Sequence, residues 1–260
     1  MLEASGFRSF PSTTTRYDGT WAIRMTAGHP AKRLNCVNPL DPDDCQYLEE
    51  RIALARQKFA GFGRPFYFRL TPLAPKPLIA HFTAEGWTSF EESLVMLLDL
   101  TSARLPAGQD RLPLQDAGRW VDAQLALSGT DPAVKPGFVE IIGRTEPETG
   151  LFLHQEGDAV ASVVRCVCDM RICGIFDLAT HADFRGRGYG TAMMTSALKW
   201  AWQRGARKAW LQVVADNRQA IALYERLGFR EIYRYAYWQP PSHAIGEPVG
   251  DDEPAGDDRP

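Results

Sequence analysis

The most constraining stretch is FDLATHADFRGRGYGTAMMTSAL, residues 176–198, where a β-rich run passes through a glycine-rich loop into a helical pattern. The loop holds Arg185, Gly186, Arg187, Gly188, Tyr189 and Gly190, with Thr191 opening the helix. A strand, a glycine turn and a helix start make an anion site. The first-turn N–H groups of a helix have no internal partners, and the helix dipole favours negative charge there. Glycine lets the backbone take left-handed conformations and approach a ligand closely. Arg185 and Arg187 would add charge at the rim. The spacing excludes a nucleotide P-loop of the G-x-x-x-x-G-K-[ST] type, and it misses the G-x-G-x-x-G dinucleotide fingerprint. Taken alone, the loop could also be a tight connection between strand and helix.

The neighbouring sequence alternates strand and helix. Helical spacing predicts a helix over 120–127, short β-rich runs over 151–153, 159–167 and 172–179, a helix over 191–204 and a strand over 209–214. Met193, Met194, Ala197, Leu198 and Ala201 share one face of the helix after the loop. Asn217 is placed to cap a further helix whose inner face carries Ile221, Tyr224 and Leu227, and Gly228 stops it. A last β-rich run covers 231–238.

These residues resemble the GNAT superfamily of N-acetyltransferases, whose loop signature [Q/R]-x-x-G-x-[G/A] is met by Arg185, Gly188 and Gly190. The following AWLQVVAD and NRQAIALYERLGF segments match the family's next strand and helix, with Asn217 at its cofactor-contacting asparagine and Tyr224 at its usual tyrosine. Ala182 stands where many members carry proline. The likeness covers 116–238 and is strongest over 175–229. It implies an α/β fold with a mixed central sheet flanked by helices, and acetyl-coenzyme A as co-substrate without a metal. Loop amides from Arg185 to Thr191 would hold the pyrophosphate, and backbone groups at Leu178, Ala179 and Thr180 the pantetheine arm. Tyr224 would be the general acid toward the leaving sulfur. Asp177 and His181, on and just after the preceding strand, are both candidate bases, and Glu140 is a more distant one. A non-catalytic acyl-coenzyme A sensor or a partner-docking module is the alternative.

The first part of the chain echoes the second. Phe82-x-x-x-Gly86-Trp87 has the spacing of Tyr224-x-x-x-Gly228-Phe229, each followed by a β-rich run. No phosphate loop precedes it, and Phe82 lacks the hydroxyl of Tyr224. The organisation expected is therefore a degenerate GNAT-like unit over 1–101, a linker over 102–114, an acetyltransferase unit over 115–240 and an acidic, disordered tail over 241–260. Arg24, Lys32, Arg33 and Asn35 could line an acceptor cleft between the units or be ordinary surface residues.

Charge and cysteine usage narrow the partners. With 29 basic and 32 acidic residues, the net charge of −3 argues against a nucleic-acid or membrane-surface binder. The start of the chain lacks a secretory pattern, and five cysteines are too few and odd in number for a disulfide framework. A reducing, cytoplasmic setting is expected, with a small-molecule or peptide amine as acceptor and a homodimer left open. Cys166, Cys168 and Cys173 sit in an alternating run with a turn near Asp169, and read as hairpin side chains rather than metal ligands.

Overall fold

The computed structural model describes residues 2–106 and 110–241. The expected tail lies outside the described residues apart from position 241, as does the middle of the expected linker. Among the described residues, the first half runs α1 (Leu2–Ser9), β1 (Thr14–Asp18), β2 (Trp21–Met25), β3 (Cys36–Pro39), α2 (Leu48–Gly61), β4 (Phe68–Leu70), α3 (Lys76–Ala84) and β5 (Thr88–Asp99). The second runs α4 (Ala117–Ser128), α5 (Lys135–Gly143), β6 (Glu148–Glu156), β7 (Ala159–Asp169), β8 (Ile172–Thr180), α6 (Tyr189–Gln203), β9 (Lys208–Val214), α7 (Arg218–Arg226) and β10 (Arg230–Gln239).

From β1 and from β6 onward the two halves repeat one order: three antiparallel strands, a helix, a strand parallel to the third, a helix and a last strand. The matched helix ends close alike. The Trp87 N–H donates to the Phe82 carbonyl at 2.9 Å and the Phe229 N–H to the Tyr224 carbonyl at 3.0 Å, with Gly86 and Gly228 both at positive φ. The mixed α/β architecture is the one expected.

All ten strands form one sheet, in the order β1-β2-β3-β4-β10-β5-β9-β8-β7-β6. The last strands are exchanged. β10 lies between β4 and β5, and β5 lies between β10 and β9, with Leu97 opposite both Arg230 and Trp210. No local pattern in the sequence announces this, because it depends on pairing between distant segments.

The sheet of the second half is buried on both faces. Met193, Met194, Ala197, Leu198 and Ala201 of α6 pack with Cys166, Cys173, Ile175 and Leu211 on one side. Trp120, Phe138, Val163, Phe176 and Trp210 fill the other, under α4, α5 and α1. The cysteines of the β7–β8 hairpin are free thiols, and Cys168 sits opposite Cys173 across a two-residue turn with Met170 at φ 57°. No described helix is long and apolar enough to cross a membrane.

Where the second half has its glycine loop, the first half has LDPDDCQY between β3 and α2. Asp41, Asp43 and Asp44 stand there, and Glu49 and Glu50 occupy the first turn of α2. That helix start repels a phosphate. Asp44 instead anchors Arg51 at 2.7 Å and the Thr20 hydroxyl at 2.7 Å.

Candidate active site

The site begins with a strand that leaves its neighbour. β8 pairs with β9 from Ile172↔Lys208 to Ile175↔Leu211 and no further. On its other edge, Arg165 faces Phe176 and Val163 faces Ala179, so β8 spends one residue more than β7. This bulge falls at Asp177, whose φ is 57°. A bulge bends its strand and sharpens the twist, and Asp177 through Thr180 diverge from β9 with their β9-facing edge unpaired.

Asp177 holds the bend through charge. Its Oδ2 accepts from Arg165 Nε at 2.8 Å, and Arg165 is fully buried, its guanidinium 4.5 and 4.8 Å from the rings of Phe10 and Phe176. Burial pulls the Arg165 pKa down and the Asp177 carboxylate opposes that shift. A left-handed non-glycine costs on the order of 1–2 kcal/mol, a strain this pair helps to offset. The pairing leaves Oδ1 as the only acceptor atom of Asp177 outside the ion pair.

After Thr180 the chain makes a short 3-10 turn. Its cap is His181, whose Nδ1 accepts from the Asp183 N–H at 3.3 Å, so the neutral ring carries its proton on Nε2. Arg185 Nε donates to the Thr180 carbonyl at 3.3 Å, folding the loop back on β8. Gly186 and Gly188 sit at φ 74° and 83°, and a Cβ at either would meet nothing within 4 Å. Conformation rather than space requires glycine there. Arg187 stays exposed, its guanidinium 5.6 Å from the Phe184 ring.

The helix that follows starts without a side-chain cap. Asp116 caps α4 through the Arg119 N–H, and Asn217 caps α7 through the Ala220 N–H at 3.1 Å. At α6 the N–H groups of Tyr189, Gly190 and Thr191 remain for a ligand. The Tyr189 side chain turns away, its hydroxyl donating to Glu156 at 2.9 Å and its ring lying between His154 and Phe184. It ties the loop to the end of β6. A Cβ at Gly190 would lie 3.4 Å from Leu223, which sets α7 against the loop and brings Tyr224 to its flank. Tyr224 is 8% exposed, and burial pushes its pKa up to about 12.

The opposite face of the opening contains residues the sequence reading missed. α1 lies across the sheet: Gly6 packs on Trp210, Glu3 binds Arg69 at 2.5 Å and the Tyr233 hydroxyl at 2.6 Å, and Arg165 donates to the Ser9 carbonyl at 2.9 Å. The first half's loop after β2 reaches across to α5. Gly28 touches Gly137, and His29 stands edge-on to Phe138 at 5.4 Å. Burial lowers the His29 pKa, while the nearby Asp177 charge works the other way. Glu140, further along α5, is exposed and paired with Arg144 at 2.8 Å.

Of the four first-half candidates, Arg24 and Asn35 are buried supports. Arg24 donates to the Arg33 and Phe10 carbonyls, and Asn35 binds Thr26, His29 and Ala31 around the loop. Lys32 and Arg33 instead roof a groove of about 200 Å³ floored by Gln212, Val214, Tyr235 and Tyr237. Gln212 to Val214 are the residues of β9 just past its last pair with β8.

Residues 120–229 match the model of the acetyltransferase (GNAT) family. An uncharacterized N-acetyltransferase of Bacillus subtilis is 22% identical over 242 residues, covering 91% of this chain and 96% of that protein. A GCN5-related N-acetyltransferase from Kribbella flavida superposes with a TM-score of 0.67 at 17% identity, over 93% of this chain and 95% of the other. A tandem GNAT protein from the clavulanic acid biosynthesis pathway gives a TM-score of 0.59 at 17% identity, over 91% and 86% of the two chains. The structural likenesses extend across both halves of the sheet.

Proposed function

Because residues 120–229 match the acetyltransferase (GNAT) family, we propose that the chain moves an acetyl group from acetyl-coenzyme A directly to a primary amine. The observation that carries this reading is the uncapped start of α6 beside the opening between β8 and β9. The N–H groups of Tyr189, Gly190 and Thr191, with the loop backbone at Gly186 to Gly188, would hold the pyrophosphate. Arg185 and Arg187 would screen its charge. The unpaired edge of Leu178, Ala179 and Thr180 would take the amides of the pantetheine arm, and Asn217 keeps its amide nitrogen for the same ligand while its oxygen caps α7.

When bound, acetyl-coenzyme A supplies an activated thioester carbonyl. The bulge positions strand N–H groups where negative charge on the carbonyl oxygen can be met by fixed dipoles. Tyr224 keeps its proton throughout the physiological range and can give it to the departing sulfur. We assign Asp177 to positioning rather than to base catalysis, since its carboxylate is held by a buried guanidinium. His181 in its neutral form offers no free acceptor nitrogen. The amine loses its proton to water in the open groove, and water returns a proton to Tyr224. Residues 1–101 act as the degenerate unit that walls this groove, joined through 102–114 to the catalytic unit at 115–240.

Isothermal titration with acetyl-coenzyme A and with coenzyme A tests the reading. One-site binding is expected, lost in Gly188→Val, because a β-branched residue cannot hold φ 83° without strain. A folded protein that binds neither ligand would overturn it.

A further inference from the structure

The groove beside the opening is built by both halves: a turn of the first roofs it, and the shared strands β9, β5 and β10 floor it. Pockets for drug-sized ligands run to about 300–1,000 Å³, so a groove of about 200 Å³ suits a smaller acceptor.

Its charges are unbalanced. Lys32 on its wall is matched by Glu91 at 2.7 Å, and outside the groove Arg69 is matched by Glu3 and Arg165 by Asp177. Arg33 has no carboxylate partner among the described residues; its guanidinium rests 4.9 Å over the Phe10 ring. Behind it, Arg24 is 3% exposed and is bonded to carbonyl oxygens only. Arg24 Nε, Arg165 Nη2 and Trp210 Nε1 are buried donors without a protein partner among the described residues. Arg24, Arg33 and Trp210 border one small cavity, and Arg33 is the residue this cavity and the groove share besides Gln212. Buried cations are normally paired. A guanidinium left without a carboxylate on the roof of a groove, with a second one behind it, is complementary to a carboxylate, which it can bind through two parallel hydrogen bonds.

Resting on the acetyltransferase reading, we propose that the acceptor is a small amine that itself carries a carboxylate, as an amino acid does, and that Arg33 selects it. The carboxylate lies against Arg33, and the amine points along Gln212 and Val213 toward the opening where β8 leaves β9. The first half thereby contributes a specificity-determining side chain to a reaction carried out by the second.

The test is thiol release from acetyl-coenzyme A with the common L-amino acids and their C-terminal amides, measured for the wild type and for Arg33→Gln. Glutamine is polar but shorter and neutral, so it removes the guanidinium together with its contact on Phe10. The wild type is expected to turn over at least one amino acid with a KM tenfold or more below that of its amide. Arg33→Gln should erase that ratio by raising the KM of the acid, with acetyl-coenzyme A affinity and melting temperature unchanged. If Arg33→Gln is unfolded, Lys32→Gln, which frees Glu91 to repel the carboxylate, should raise the KM of the acid over that of the amide. Equal or better use of the amides, or a ratio insensitive to both variants, would overturn the proposal. So would bound acetyl-coenzyme A with no amino acid acetylated, which leaves the cofactor reading standing. Failure to bind acetyl-coenzyme A would instead remove the reading beneath both.

Discussion

Asp177→Asn separates the two roles a carboxylate at the bulge could have. Asparagine tolerates the left-handed backbone at φ 57° and keeps the shape, so the change chiefly removes charge. Its partner Arg165 is fully buried, and its Nη1 donates to the Ser9 carbonyl. Breaking one side of a buried ion pair costs about 3–5 kcal/mol. For a chain of this size, about 2–4 °C per kcal/mol gives a fall in Tm of roughly 6–20 °C. Adding Arg165→Met, which refills the space beside Phe10 and Phe176 with an apolar chain, should recover most of the loss. Tm by calorimetry and kcat well below the lower Tm are read side by side. If Asp177 positions the bulge, stability falls and kcat drops less than tenfold. A Tm within 2 °C of the wild type with kcat down by about 10²–10⁴, the range for a lost general base, would overturn the positioning role and make Asp177 the base.

Gly137→Ala would set a Cβ against the Gly28 carbonyl and 3.0 Å from its Cα, so backbone must move; about 1–3 kcal/mol of destabilisation is expected, with a higher acceptor KM as the first-half loop lifts from α5. Gly28→Ala, whose Cβ meets Gly137 at 3.2 Å, should cost less in the same thermal melt. Tyr224→Phe keeps the packing on Phe229 and should lower kcat by roughly 10², within the range for a general acid, with acetyl-coenzyme A affinity intact. Since burial holds the Tyr224 pKa near 12, a wild-type kcat profile should show no downturn from its ionisation below pH 10. Burial lowers the His29 pKa below 6.5, so the unfolded chain takes up that proton first. Its share of stability is present above pH 6.5 and is lost as pH falls, and His29→Gln should lessen the fall of Tm as pH drops below 6.5.

The second half was legible because its signals are local. The apolar face of α6, the cap at Asn217, the stop at Gly228 and the glycine loop all lie within a few residues of the structure they specify. The Phe82–Gly86–Trp87 echo was legible for the same reason, since a helix end and the strand after it repeat at fixed spacing. Asp177 was visible as a candidate but its left-handed backbone was not, because nothing in FDLAT marks the bulge and the residue that stabilises it is twelve positions away at Arg165. His29, Arg33 and α1 acquire their places from contacts across the sheet, for which sequence spacing carries no signal. The sequence reading also treated the segment ending at Asp99 as the property of the first part, whereas β5 pairs with strands of the second on both edges.

That strand exchange sets the order in which the molecule can be completed during synthesis. A domain closed on itself can fold as soon as its last strand leaves the ribosome, at about 5–20 residues per second. Here β5 emerges with neither neighbour yet made, and β4 waits for β10, which ends at Gln239. Until then the edges of β4 and β5 that β10 will cover stay open, the kind of surface that pairs wrongly with other chains. The same interlock keeps the halves together afterward, because neither can be cut away without taking a central strand from the other.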